Sequence, residues 1–191
     1  SKFNAQDHFA FEIVALKENI RFYVHCHKKL KDLVEKQIHG AYPGADVKEV
    51  DEYNIFSEEG RVAFASLKLK NAPHFPVKSY RELATDPLSS MTASLAKMGE
   101  GEGAVIQVLF WPADKKWSAA GKKYLSKTKS QEADPEKAKY QMDQRKLEAI
   151  ESKVGKPGFA TTIRMVVSST SEASAKAHLD NLKGTFSQFN S

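Results

Sequence analysis

Ile20-Arg21-Phe22-Tyr23-Val24-His25-Cys26-His27 puts Ile20, Phe22, Val24 and Cys26 on one face and Arg21, Tyr23, His25 and His27 on the other. That period of two is the signature of a strand. Upstream, Phe9, Phe11 and Ile13 alternate with Ala10 and Glu12, and the polar Leu16-Lys17-Glu18-Asn19 lies between. The pair predicts a hairpin. Downstream, Leu30, Leu33, Val34, Gln37, Ile38 and Ala41 recur at helical spacing, until Gly40 and Pro43-Gly44 stop the pattern. Ala45 to Tyr53 reads as a third strand. Arg61 to Lys70 reads as a fourth, with Ala63, Ala65, Leu67 and Leu69 on one face.

The prolines Pro73 and Pro76 make the next stretch an extended connection. Asp86-Pro87 is a helix start, an Asp cap followed by Pro at the first helical position. Leu88, Met91, Leu95 and Met98 form that helix's stripe, and Ala104 to Trp111 is a further strand. From Ile20 to Trp111 the order is β-α-β-β-α-β. This predicts an α+β, ferredoxin-like antiparallel sheet with helices on one face. Ile20 to Val24 and Ile163 to Val167 each precede a helical pattern, and Ile38, Gly40 and Tyr42 echo Leu182, Gly184 and Phe186. A duplicated strand–helix unit and chance likeness both account for that echo.

Charge divides the chain. Residues 1–113 carry 14 basic and 15 acidic side chains, residues 114–156 carry 12 and 7, and residues 157–191 carry 3 and 2. The whole net charge of +5 therefore resides in the middle segment. We divide the chain into a ferredoxin-like lobe (1–113), a protruding basic helical insertion (114–156) and a strand–helix unit completing a second lobe (157–191). The insertion holds one helix from Asp114 to about Lys127 and a second from Asp134-Pro135 to Val154, whose Tyr140, Leu147, Ile150 and Val154 make a narrow apolar stripe. Phe159 to Ser168 is a strand. Ser169-x-x-Glu172 reads as the capping box of a last helix bearing Ala175, Leu179, Leu182, Phe186 and Phe189.

Chemistry is hard to find. Gly121-Lys122 lacks the first glycine and the hydroxyl residue of a phosphate-binding loop, and Glu100 and Glu102 in the Gly99–Gly103 run would repel phosphate. His25 and His27 share a strand face, but two ligands are short of a zinc site. Cys26, the one cysteine, falls on an apolar face, where cysteine behaves as a small hydrophobe. A lone cysteine also makes no internal disulfide, so cytoplasmic exposure is the simplest reading. No catalytic, cofactor-binding or metal-ligating residue is assigned, and the expectation is a non-enzymatic binding or docking domain. No apolar run is long enough for a membrane helix.

The remaining signal is Lys115, Lys116, Lys122, Lys123, Lys127 and Lys129, with Trp117 and Tyr124 among them. Lysines beside aromatics suit single-stranded nucleic acid, through phosphate neutralisation and base stacking, or an acidic partner. A solvated helix face with Trp117 packed inward fits the same residues.

Several blocks carry a resemblance together. They are Phe22-Tyr23-Val24, Lys29 to Ile38 and Ala41-Tyr42-Pro43-Gly44-Ala45; Phe75-Pro76-Val77-Lys78-Ser79-Tyr80 with Asp86-Pro87-Leu88-Ser89-Ser90; Gly101 to Gln107 through Trp111-Pro112 and Trp117; and Phe186-Ser187-Gln188-Phe189-Asn190. From about Phe9 to Asn190 the chain resembles the domain preceding the motor in conjugative, type IV secretion-like DNA-translocating ATPases of the FtsK–HerA class. The resemblance implies an ATPase domain beyond Ser191, often a membrane anchor before Ser1, and a place at the cytoplasmic face of the membrane. It implies docking to that motor and to secretion-complex proteins, homo-oligomerisation through the motor, and DNA translocation by the whole. Ser1-Lys2 without an initiator Met agrees with a piece of a longer protein. The family's Walker motifs have no counterpart here, so the resemblance assigns no catalytic residue.

Overall fold

The computed structural model describes residues 8–17, 19–132 and 144–190. Five strands form one sheet: β1 (Phe9–Leu16), β2 (Asn19–His25), β3 (Arg61–Leu67), β4 (Gly103–Pro112) and β5 (Phe159–Ser169). Every pairing is antiparallel, and the order is β2-β1-β4-β5-β3. The helices are α1 (Lys31–Ala41), α2 (Pro87–Leu95), α3 (Lys116–Glu132), α4 (Gln144–Val154) and α5 (Glu172–Thr185). Among the described residues no helix is long and apolar enough to cross a membrane.

The α+β class stands, but the ferredoxin-like order does not. Residues 45–53 form no strand. Their apolar side chains Val47, Val50 and Tyr53 recur every third residue among charges, which suits neither face of a sheet. The stretch instead runs back beside α1, tied by Lys31 Nζ to Glu49 Oε2 at 2.5 Å and by His39 Nε2 to the Ala45 carbonyl at 3.2 Å. The sheet takes β1 into its interior, between β2 and β4. Residues 157–191 join this same sheet, because β5 lies between β4 and β3. The two echoing strand–helix units occupy unlike places: β2 is an edge strand whose helix buries no residue, whereas β5 is internal and α5 buries Ala175, Leu179 and Leu182.

Cross-strand register explains the core. Ile20, Ala15, Ala104, Val167 and Ala63 form one row across all five strands. Small residues there let α2 and α5 approach, and Met91, Leu95, Met98, Leu179 and Leu182 pack down on Ile106, Met165 and Val167. At about 25 cal/mol per Å² this apolar burial is the main stabilising term. The opposite face is covered by the loop after the α1 arm, where Ile55 packs on Val14 and Val105. Beside it Glu12 accepts from Tyr53 Oη (2.6 Å) and from Gln107 Nε2 (2.8 Å).

Caps agree with the sequence at α2, where Asp86 Oδ1 accepts from the Leu88 N–H at 3.0 Å and Pro87 opens the helix. At α5 the cap is Ser171, accepting from the Ser174 N–H, and the expected Ser169 cap is corrected. The Ser169 side chain turns inward to a carboxylate, as described below.

Candidate interaction surfaces

The predicted lysine segment folds as α3 paired with α4. Asp114 opens α3 by accepting from the Lys116 N–H at 2.9 Å. At 3.6 residues per turn, Lys116, Lys123 and Lys127 fall within about 40° of one another, and Lys122 and Lys129 form a second stripe about 130° away. These five and Lys115 are all exposed. Lys129 reaches Glu151 of α4 at 3.2 Å. Trp117 and Tyr124 face the other way, into a core of Leu125, Leu147, Ile150 and Val154 with Phe75. Trp117 lies so close over Gly158 that a Cβ there would stand 2.7 Å from Cε2. The structure therefore separates the lysines from the two aromatics that the sequence interleaves. The expected start of the second helix at Asp134-Pro135, with Tyr140, lies outside the described residues.

Beneath this hairpin sits His74, buried, its ring 5.0 Å from Tyr124 and 4.6 Å from Phe75. Its Nε2 has no hydrogen-bond partner among the described residues. Burial, and then the nearby Lys153 charge, hold its pKa below the ordinary value of 6.5. Lys153 donates to the Phe75 carbonyl at 2.7 Å, and burial lowers its own pKa. An imidazole with a bare edge invites a ligand, but the Phe75 and Tyr124 rings pack against it and it is buried.

A second polar cluster gathers round Glu102. Its Oε1 accepts from Ser169 Oγ and from Ser174 Oγ, the latter at 3.0 Å, while Oε2 accepts from the Gly99 N–H at 2.9 Å and faces His178 Nε2 at 3.3 Å. Burial works to raise the Glu102 pKa; the bonds from Ser169, Gly99 and Ser174 and the His178 charge outweigh it, and the net direction is down. Serine, histidine and carboxylate stand together here, yet both hydroxyls and the imidazole point at the same carboxylate. The one base these hydroxyls meet is the Glu102 carboxylate, whose lowered pKa makes it a weak proton acceptor. The cluster is a staple joining the Gly99–Gly103 turn, where Gly101 adopts φ +75°, to β5 and α5.

His25 stacks on the His8 ring at 6.0 Å. His27 Nδ1 accepts from the Lys29 N–H at 3.3 Å, and no group of three His, Cys, Asp or Glu is gathered among the described residues. Cys26 is half-buried just past the end of β2, and burial raises its thiol pKa.

Among the described residues, two of the exposed apolar surfaces bear on interaction. The first is α1. Its stripe of Leu33, Val34 and Ile38 is amphipathic, yet the helix buries no residue, and Leu33 is 53% exposed. Tyr42, Val47 and Val50 of the same arm are exposed as well.

The second surface lies on the helix-covered face of the sheet, beyond the reach of α2 and α5. Phe22 stands level with Ile106, Phe11 with Val108, and Phe159 with Pro112, so Phe22, Phe11, Phe110 and Phe159 descend a diagonal across β2, β1, β4 and β5. Each step crosses one strand and two residues, about 8 Å. Phe110 stacks on Phe11 at 5.2 Å and on Phe9 at 5.5 Å, and meets Phe159 edge-on at 5.8 Å. Phe22, Phe11 and Phe159 are 64, 48 and 61% exposed. Sequence reading missed this diagonal. Its only trace is a phenylalanine in each of these strands, and only register aligns them.

A family model described as a domain of unknown function (DUF8128) matches residues 1–191. No curated protein and no solved structure matches the chain.

Proposed function

We propose that this chain, which belongs to the DUF8128 family, is a non-catalytic docking domain that couples a DNA-translocating ATPase motor of the FtsK–HerA class to itself and to secretion-complex partners. One observation carries the docking part: α1 has the periodicity of a helix built to bury one face, yet none of its residues is fully buried, with Leu33 exposed and Val34 and Ile38 only half-buried. Helices of this kind are read by grooves through anchors at i, i+3, i+4 and i+7; Leu30, Leu33 and Val34 stand at i, i+3 and i+4, and Val34, Ile38 and Ala41 at i, i+4 and i+7. The arm is held in place at both ends, by the turn after β2 and by Tyr53 and Ile55 on the sheet. The identity of the motor rests on the sequence resemblance. Such a domain works at the cytoplasmic face of the membrane, without inserting.

The test mixes the chain with the separately expressed motor domain of its native reading frame and measures binding by calorimetry. Binding is expected, and Leu33→Glu with Ile38→Glu should abolish it. Each anchor that stays in water forfeits about 1.5–3 kcal/mol of burial. A native reading frame without Walker motifs sinks the motor assignment. Equal binding by the double variant sinks the α1 assignment.

A further inference from the structure

We propose that the phenylalanine diagonal is a stacking platform for single-stranded nucleic acid, with its phosphates held by lysines at the strand ends. The site is distinct from the α1 stripe. On this face full burial stops at Ile106 and Met165; beyond them Phe110 is half-buried, and Phe22, Phe11 and Phe159 stand in solvent. Three of them expose about half or more of their surface, which leaves ring area for a base to cover.

Basic residues gather in sequence just beyond the strand ends. At the end of the sheet where the diagonal finishes, β2, β3 and β4 run out and β5 begins. Lys28 follows β2, Lys68 and Lys70 follow β3, Lys115 and Lys116 follow β4, and Lys156 precedes β5; all six are exposed. None of the six is in a salt bridge among the described residues. The carboxylates closest in sequence are Asp114, occupied in capping α3, and Asp32, in the first turn of α1. Exposed lysines at the strand ends of a sheet with an aromatic face are the composition of a single-strand platform, where bases stack and the backbone is neutralised without sequence readout. Protein interfaces, in contrast, are depleted in lysine.

The experiment is fluorescence anisotropy of the whole chain with labelled dT20 and rU20 at several salt concentrations. Binding at 50 mM salt is expected, with log K falling against log salt by about 0.7 for each phosphate neutralised. Phe11→Ala and Phe159→Ala should each weaken binding about tenfold with the salt slope unchanged. Phe11→Tyr and Phe159→Tyr, which keep the ring, should bind like the parent chain. Lys68→Gln with Lys70→Gln should lower the slope. Thermal melts establish that each variant is folded. A preference between dT20 and rU20 assigns the natural strand to DNA or RNA. The proposal fails if no complex forms at 50 mM salt, or if the alanine variants bind as the parent does. It fails equally if duplex DNA or polyglutamate competes as well as dT20. Leu33→Glu should leave oligonucleotide binding intact, so this result and the docking result are separable.

Discussion

His178 Nε2 stands 3.3 Å from Glu102 Oε2, with both side chains mostly shielded from solvent, so one turn of α5 is fastened to the loop that starts β4. The carboxylate's four neighbours explain why a glutamate in a glycine-rich turn is not a solvated charge.

Glu102→Ala leaves Ser169 and Ser174 hydroxyls without their acceptor. We expect a loss of about 2–4 kcal/mol, measured by urea unfolding. The pH dependence has a definite sign. The folded pKa is below the ordinary 4.5, so this stabilisation is complete above that value and is lost as pH falls through the folded pKa. Glu102→Gln should therefore flatten the acid limb of stability below pH 4.5.

His74 predicts a different window. Its folded pKa is also lowered, so the unfolded chain takes up the proton first, and stability falls as pH drops below 6.5 toward the folded value. His74→Leu should remove this component of the decline between pH 7 and 5. Melting curves across that range check it, and an unchanged slope contradicts the burial argument.

Gly121 sits in α3 where alanine is intrinsically better by about 1 kcal/mol. A Cβ there would meet the Val154 side chain and come within 2.8 Å of His74 Cβ. Overpacking of this kind costs about 1–3 kcal/mol. We expect Gly121→Ala to be net destabilising in thermal melts, against its propensity.

Tyr53 donates to Glu12 from a half-buried site. Burial first, then the bond to the carboxylate and its charge, raise the phenol pKa well above 10. Ultraviolet titration of the six tyrosines should show one ionising last. Tyr53→Phe should remove that late step and cost about 1 kcal/mol.

Much of the local structure is legible without coordinates. The hairpin of β1 and β2, the inward Ala63, Ala65 and Leu67, and the Asp86-Pro87 start of α2 all follow from period and cap chemistry. What is not legible is long-range register. Ile20 to Trp111 suggested a closed motif because β-α-β-β-α-β is a common string, yet Val47, Val50 and Tyr53 never had a strand's alternation. The place of β1 beside β4 depends on a pairing between residues about 90 apart, which no local signal encodes. Trp117 and Tyr124 show the same limit: adjacency in sequence put them with the lysines, and helix geometry turned them away.

The placement of β5 has a consequence for synthesis. Among the described strands β3 hydrogen-bonds to β5 alone, and β5 emerges from the ribosome roughly 90 residues later. At 5–20 residues per second, β3 stays unpaired for roughly 5–20 s. During that wait its exposed Val62 and Phe64 depend on dilution or a chaperone to escape aggregation. Translation that stalls before Phe159 would release a chain with β4 as its bare edge and the α5 cover missing.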